Sequence, residues 1–244
     1  MQRIAVAAHK GGSGKTTVTV NLAGALAARG QTVLVVDADP QGAATAALGA
    51  PPAKPSLYEV LAGEATIEAA ARPTATPGVS VVGADLDLAG AEVELPRAGA
   101  WQGTLRERLA AADGFDVALI DTAPGLGVLP YVALVAAERV LIVCPPDYLS
   151  LRSLPSILEA TSRARVPMIG IVPNRVEHRT RHEADVLAQL RTDHGAVLLS
   201  EVPGRVALRD AAIAGVPVAT YAPASDAAEA FDRLAQEVLD HAPT

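Results

Sequence analysis

The sequence predicts an α/β fold in which a mostly parallel sheet is flanked by helices on both faces. Three observations carry that expectation. Apolar, β-branched segments alternate with helix-compatible segments along the chain, the order that parallel sheets with crossover helices require. The first such strand runs directly into the stretch His9-Lys10-Gly11-Gly12-Ser13-Gly14-Lys15-Thr16-Thr17 and then into a helix. Two later strands end in aspartates, Asp37 and Asp121, and open parallel sheets bind ligands at the carboxyl ends of their strands. With 244 residues, the chain suits a single domain spanning 1–244 that buries its core without staples.

Residues 3–8 read as a buried strand, and 17–29 as a helix rich in alanine and leucine that stops at Gly30. Residues 32–36 form a second strand, ending in Asp37-Ala38-Asp39-Pro40-Gln41-Gly42. Ser56 and Glu59 have the spacing of a capping box for a short helix containing Leu57, Val60 and Leu61. The proline-rich flanks 50–55 and 72–78 read as surface connections. Val79–Val82 is a short strand, 85–99 partly helical, and 105–112 a helix. Buried strands follow at 117–120, ending in Asp121-Thr122-Ala123-Pro124-Gly125, and at 140–143, ahead of Pro145-Pro146. Helices are expected at 149–163, 182–190, 206–214 and 227–239, with strands at 168–172 and 197–199. There is no internal repeat.

Composition narrows the function. A lone cysteine, Cys144, sits in an apolar run; it excludes a disulfide framework and a four-cysteine metal site, reads as a small buried hydrophobe, and suits a reducing cytoplasm. No apolar run is long enough to cross a bilayer, and no leader is expected ahead of the first strand. The net charge of −7 argues against a uniformly basic surface. Residues 152–209 nevertheless hold nine arginines against six acids, which leaves −10 on the rest of the chain. Such asymmetry can build a basic face on an acidic protein.

The glycine-rich stretch is the strongest signal. A strand, a glycine turn and a helix start place unpaired amides around an anion, and glycines let the backbone curl about phosphates. Lys15 is then placed to reach the β- and γ-phosphates, and the Thr16 hydroxyl to ligate magnesium. His9 stands where such loops usually begin with glycine, and Lys10 follows it.

That extra lysine makes the loop resemble the deviant Walker A motif, Lys-Gly-Gly-x-Gly-Lys-Thr-Thr, of the ParA/MinD family of P-loop ATPases. The resemblance implies ATP and Mg²⁺ as cofactors, bound by Lys10, Gly11, Gly12, Ser13, Gly14, Lys15, Thr16 and Thr17. It also implies a sandwich homodimer closed around ATP, in which Lys10 reaches the partner's phosphates. A second cation there would stabilise charge in the transition state and couple hydrolysis to dimerisation. Residues 37–42 resemble the family's switch I, so Asp39 takes the water-orienting role and Asp37 joins the magnesium shell. Residues 120–124 resemble Walker B and switch II, which gives magnesium to Asp121 through water. Taken without the loop, Asp37 and Asp121 read as turn caps and Lys10 as a solvated lysine.

Residues 145–151, 179–180 and 202–211 are similar to segments of the ParA branch. The last implies an adenine pocket, usually with a basic residue and Asn after the proline; here Gly204 and Arg205 stand there, which leaves the Pro203 backbone as the contact. Asn174 is a second base contact or a turn former. The ParA resemblance further implies nonspecific binding of double-stranded DNA through basic residues, with Arg175, Arg179, Arg181, Arg191, Arg205 and Arg209 as candidates. Each could instead pair with Glu177, Glu183 or Asp185. Aromatics are 3 % of the chain, too few to suggest stacking on single strands. Residues 210–244 carry six acids and only Arg233, unlike the basic amphipathic end of a membrane-binding MinD-like protein.

The expected function is therefore a DNA-partition ATPase of chromosome or plasmid, cytoplasmic and nucleoid-associated, reset by a ParB-like activator. With the first strand beginning near residue 3, no amino-terminal DNA-reading extension is expected. Two rivals are a ParA-like ATPase that positions another cargo and a ligase of the cobyrinic acid synthase type that phosphorylates a carboxylate.

Overall fold

The computed structural model describes residues 1–99 and 101–241. Its centre is an eight-stranded sheet of β1 (Gln2–Ala7), β2 (Val33–Ala38), β3 (Ala71–Pro73), β4 (Val79–Val82), β5 (Val117–Thr122), β6 (Arg139–Cys144), β7 (Met168–Val176) and β8 (Val202–Pro203), ordered β3-β4-β2-β5-β1-β6-β7-β8. Every pairing is parallel except β3 with β4. The expected α/β architecture is the one observed.

Alternation along the strands covers both faces. Ile4, Val6, Val33, Val35 and Leu119 join one core with Leu22 and Leu26 of the helix Lys15–Ala28 and Phe231 and Leu234 of the helix Asp226–Asp240. Leu34, Val36, Ala118 and Ile120 join another with Leu57, Val60, Leu105 and Leu109. β1 lies between β5 and β6 with β2 just beyond β5, which gathers the glycine loop, Asp37 and Asp121 at one end of the sheet. The register sets Asp37 directly beside Asp121.

Several elements depart from expectation, among them the short helices Ala43–Ala47, Ile67–Ala70 and Val218–Tyr221, which the sequence reading did not expect. Residues 197–199 are not a strand: Gly195–Val197 is a 3₁₀ turn, Leu198 makes one bridge to Ile171, and the edge strand comes later, at Val202–Pro203. A β-carbon on Gly170 would stand 2.6 Å from the Val197 carbonyl oxygen and 2.7 Å from Leu199 Cγ. The apolar run there signals close packing on β7, not a ladder. Within 72–78, expected as a connection, Ala71–Pro73 pairs antiparallel with β4; a proline is tolerated at such an edge. The helix Val128–Ala136 has no counterpart in the sequence reading, because it is apolar all round and shows no stripe. The partly helical reading of 85–99 matches the helix Leu88–Glu94 and the 3₁₀ turn Leu95–Ala98.

Candidate nucleotide site

The glycine loop is held at both ends. The Gly125 amide donates to the His9 carbonyl at 3.1 Å, and the Ser13 hydroxyl donates to the Lys10 carbonyl at 3.0 Å. Gly14 caps the helix Lys15–Ala28 in the left-handed region, with φ 90°. A side chain would not fit: a β-carbon there would stand 2.2 Å from Asn174 Nδ2, which donates to the Ser13 carbonyl at 2.7 Å. The first-turn amides of the helix have no intrahelical partner and face the loop mouth.

Behind the loop is a buried charge cluster. Lys15 is 6 % exposed; burial pulls its ammonium below the usual lysine range, while Asp121 and Asp39 act to raise it. Asp121 is fully buried, and its carboxylate accepts from the Thr16 hydroxyl at 2.7 Å and from the Thr19 hydroxyl at 3.0 Å. Burial, and then the neighbouring Asp37 charge, push the Asp121 carboxyl up to about 7. Asp37 is likewise raised by burial and, more weakly, by Asp39.

Two adjacent buried carboxylates held against their own ionisation fit a cation. Among the described residues no group of three or more acidic, histidine or cysteine side chains could cage a metal alone. The arrangement therefore suits a small hard ion that takes one or two carboxylates and completes its shell with phosphate oxygens and water, as Mg²⁺ does. Thr16, whose hydroxyl hydrogen goes to Asp121, keeps its lone pairs for such an ion.

The other predicted residues fall as follows. Asp39 is half-buried and accepts from the Gln41 amide at 2.9 Å. Asp37 also does the turn-capping that its residue type allows, accepting from the Thr45 amide at 2.8 Å and the Asp39 amide at 3.3 Å. Lys10 is exposed, and its Nζ lies 3.6 Å from Oδ1 of Asp147 in the same chain. Asp147 caps the helix Tyr148–Ala164 through the Ser150 amide at 2.9 Å. Burial would raise the Asp147 carboxyl, but Ser150 and Lys10 hold it below the usual range.

Two clefts flank the loop. One, of about 380 Å³, lies between Lys10, Ser13, Pro146, Asp147 and the 175–183 turn. The other, of about 430 Å³, is lined by Thr17, Asn174, Gly204, Arg205 and Arg209 among others. Pro203 ends β8 and is not among its lining residues, whereas Gly204 is. Asn174 is 1 % exposed, and with Nδ2 given to Ser13 its Oδ1 has no partner among the described residues. That orphaned acceptor beside a cleft suits a ligand N–H, such as the amino group of adenine.

The six arginines do not share one surface. Arg175 and Arg179 line both clefts, and Arg205 and Arg209 line the second. Arg181 and Arg191 belong to the helix Arg181–His194. Arg179 pairs with Glu177 at 3.2 Å, Arg191 with Glu201 at 2.6 Å, and Arg205 with Asp226 at 2.5 Å. Glu183 pairs with none of the six; its carboxylate accepts from the Glu177 and Arg179 amides, at 2.5 and 3.1 Å. Arg175, Arg181 and Arg209 form no ion pair among the described residues.

Sequence reasoning missed Thr19, Thr45 and Asp147. Thr19 was within reach, because it lies three residues beyond Thr16 on the same helix face. Thr45 acts through bonds to Asp37 and Ala84 that no spacing announces, and Asp147, whose spacing to Ser150 marks only a helix cap, through a pairing with Lys10 from across the fold.

A family model described as an AAA domain matches residues 1–167. The chain is 39 % identical to the chromosome-partitioning ATPase Soj of Thermus thermophilus, over 98 % of this chain and 96 % of that one. It is 35 % identical to the chromosome partitioning protein ParA of Caulobacter vibrioides, over 97 % and 93 %. This chain belongs to the ParA/MinD family of P-loop ATPases. Among solved structures, a cobyrinic acid a,c-diamide synthase of Mycobacterium smegmatis with bound ATP analogue and magnesium matches with a TM-score of 0.83 and 33 % identity, covering 99 % of this chain and 95 % of that one. The loop, Asp37 and Asp121 of this ParA/MinD-family member thus stand on a backbone close to one that holds a magnesium nucleotide. Among the described residues no helix is long and apolar enough to cross a membrane.

Proposed function

We propose that this chain is a DNA-partition switch whose ATP-bound form is a sandwich homodimer. The observation that carries the nucleotide part is the constellation of Lys15, Thr16 and Asp121 beneath a glycine loop whose geometry excludes a side chain at Gly14. ATP would lie with its phosphates on the loop amides and its base beside Asn174. Lys15, desolvated and within the influence of the Asp121 and Asp39 charges, would turn its ammonium to the phosphates. Thr16 and Asp121 would hold Mg²⁺, with Asp37 beside them. The bound ion supplies charge neutralisation across the β- and γ-phosphates. Asp39, at the mouth of the site, would orient the attacking water and take up its proton.

Among the described residues, Lys10 pairs only with Asp147 of its own chain. In the homodimer it would leave Asp147 for the partner's phosphates, so that both subunits complete each other's site. Dimerisation would align basic residues for nonspecific double-stranded DNA, and a ParB-like partner would accelerate hydrolysis and release it. Arg175, Arg181 and Arg209, without ion pairs among the described residues, are the freest of the candidates. The protein would act in the cytoplasm on the nucleoid, serving a chromosome or a plasmid, as one domain over 1–244.

The similarity to a structure described as a cobyrinic acid a,c-diamide synthase favours one second reading, a ligase that phosphorylates a small carboxylic acid. ATP turnover, measured with DNA and a ParB-like protein from the neighbouring gene added separately and together, decides between them. A switch accelerates several-fold with both present, and Asp39→Ala traps it as an ATP-bound dimer in light scattering. Turnover that needs a carboxylic acid and ignores both additions would overturn the partition reading.

A further inference from the structure

Between Asp37 and Thr45 the chain leaves β2, turns, and enters the short helix Ala43–Ala47. Both ends of this excursion close on one carboxylate. Asp37 Oδ2 accepts from the Thr45 amide at 2.8 Å and from the Thr45 hydroxyl at 2.7 Å, while Oδ1 accepts from the Asp39 amide at 3.3 Å. Having given its hydrogen to Asp37, the Thr45 hydroxyl accepts from the Ala84 amide at 3.1 Å, just beyond β4. Thr45 is 3 % exposed and Asp37 fully buried, so none of these bonds is replaceable by bulk water.

The turn between them is equally constrained. The Gly42 amide donates to the Asp39 carbonyl at 2.9 Å, and the Gln41 amide donates to the Asp39 carboxylate at 2.9 Å. A β-carbon on Gly42 would stand 3.1 Å from the Ala84 carbonyl oxygen, and one on Gly83 would stand 3.0 Å from Thr45 Cγ2. The turn therefore presses on the end of β4 without slack. Asp39 in this turn lies near enough to Lys15 for its charge to act on the ammonium. Asp37 and Asp121 are neighbours in the sheet, yet they are held differently: Asp121 by two hydroxyls of the loop helix, Asp37 by the segment that carries Asp39.

We propose that Thr45 is a positioning residue for ATP hydrolysis: with Asp37 it forms a buried staple that holds the turn bearing Asp39 in place beside the glycine loop. The inference rests on the reading of Asp39 as the water-orienting group. Thr45 is buried and bonded to Asp37 and Ala84, so it would act on the reaction through Asp37 and the turn. Valine has threonine's shape but would remove one donor from Asp37 and one acceptor from the Ala84 amide, whereas serine keeps both bonds.

The test compares Thr45→Val and Thr45→Ser. In the nucleotide-free protein, amide exchange of residues 39–46 should rise at least about tenfold in Thr45→Val, the scale of one lost hydrogen bond to a charged group. With ATP, kcat should fall by a similar factor while the Kd for a fluorescent ATP analogue stays within about twofold. Thr45→Ser should restore both exchange and kcat. If Thr45→Val does not fold, Thr45→Ala carries the same expectation. Unchanged exchange and kcat, or a loss confined to nucleotide affinity, or a serine variant no better than valine, would overturn the staple. Failure of the underlying reading shows separately, as undiminished turnover in Asp39→Ala.

Discussion

Replacing Gly14 with alanine should damage this protein more than the same change at the other glycines of its loop. Gly14 has φ 90°, and its β-carbon would stand 2.2 Å from Asn174 Nδ2. The left-handed backbone costs a residue with a side chain about 1–2 kcal/mol. The overlap also drives Asn174 off the Ser13 carbonyl; both groups are buried, and an unpaired buried polar group costs about 1–3 kcal/mol. Together these predict a loss of about 2–5 kcal/mol, and a melting temperature lower by roughly 4–20 °C for a chain of this size. Gly12, with φ 74° and no atom within 4 Å of a β-carbon, should bear only the backbone cost. Gly11 has no positive φ, and its β-carbon would meet Pro124 at an ordinary 3.7 Å, so alanine there should fall within about 0.5 kcal/mol of the parent. Calorimetric melting of the three variants without nucleotide, followed by titration with ATP and magnesium, tests the order Gly14, Gly12, Gly11. Equal losses at all three, or a Gly14→Ala protein that melts with the parent, would refute the argument that Asn174 and Gly14 are fitted to each other.

Two further outcomes follow from the charges. The Asp121 carboxyl, raised from 3.8 to about 7 in the folded chain, favours the fold most when protonated, so its stabilisation is complete below about pH 4 and is lost as pH rises through 7. The nucleotide-free protein should therefore lose up to about 4 kcal/mol across that window on this account, with Asp37 acting in the same direction. Urea unfolding at a series of pH values should show a shallower slope in Asp121→Asn, and equal slopes would count against the buried pair. Among the arginines, Arg209 lines the cleft beside Asn174 whereas Arg181 does not, so Arg209→Glu should weaken ATP-analogue binding measured without DNA. Arg181→Glu should leave that binding within about twofold and instead reduce ATP-dependent DNA retention, an effect that rising salt mimics; the reverse pattern would exchange their roles.

What the sequence made legible is what depends on local order. Strand, glycine turn and helix occur in succession, so the cradle is visible without coordinates, as are Asp37 and Asp121 at strand ends. Patterning failed where apolar residues stand on every face, as in the helix Val128–Ala136, whose half-buried face of Val128, Tyr131 and Val135 is as apolar as its buried one, and where packing mimicked a strand, as at Leu198 and Leu199. Contacts across the fold were out of reach, since nothing near Asn174 says that its amide meets Ser13, 161 positions away.

The arginines show the same boundary from the other side. Counting predicted a basic excess over 152–209, and the excess is real, but a count has no direction. Folding sends four of the six candidates to the clefts around the loop and ties Arg205 to Asp226, an acid outside the counted stretch. Glu183, counted as a neutralising neighbour, is instead consumed by the backbone amides of the 177–179 turn, which hold its carboxyl below the usual range despite the opposing effect of burial. Charge that looked like one surface is thus divided between the clefts beside the glycine loop and the helix Arg181–His194. On the function proposed above, phosphate bound in those clefts would decide how much of that charge remains for a second polyanion.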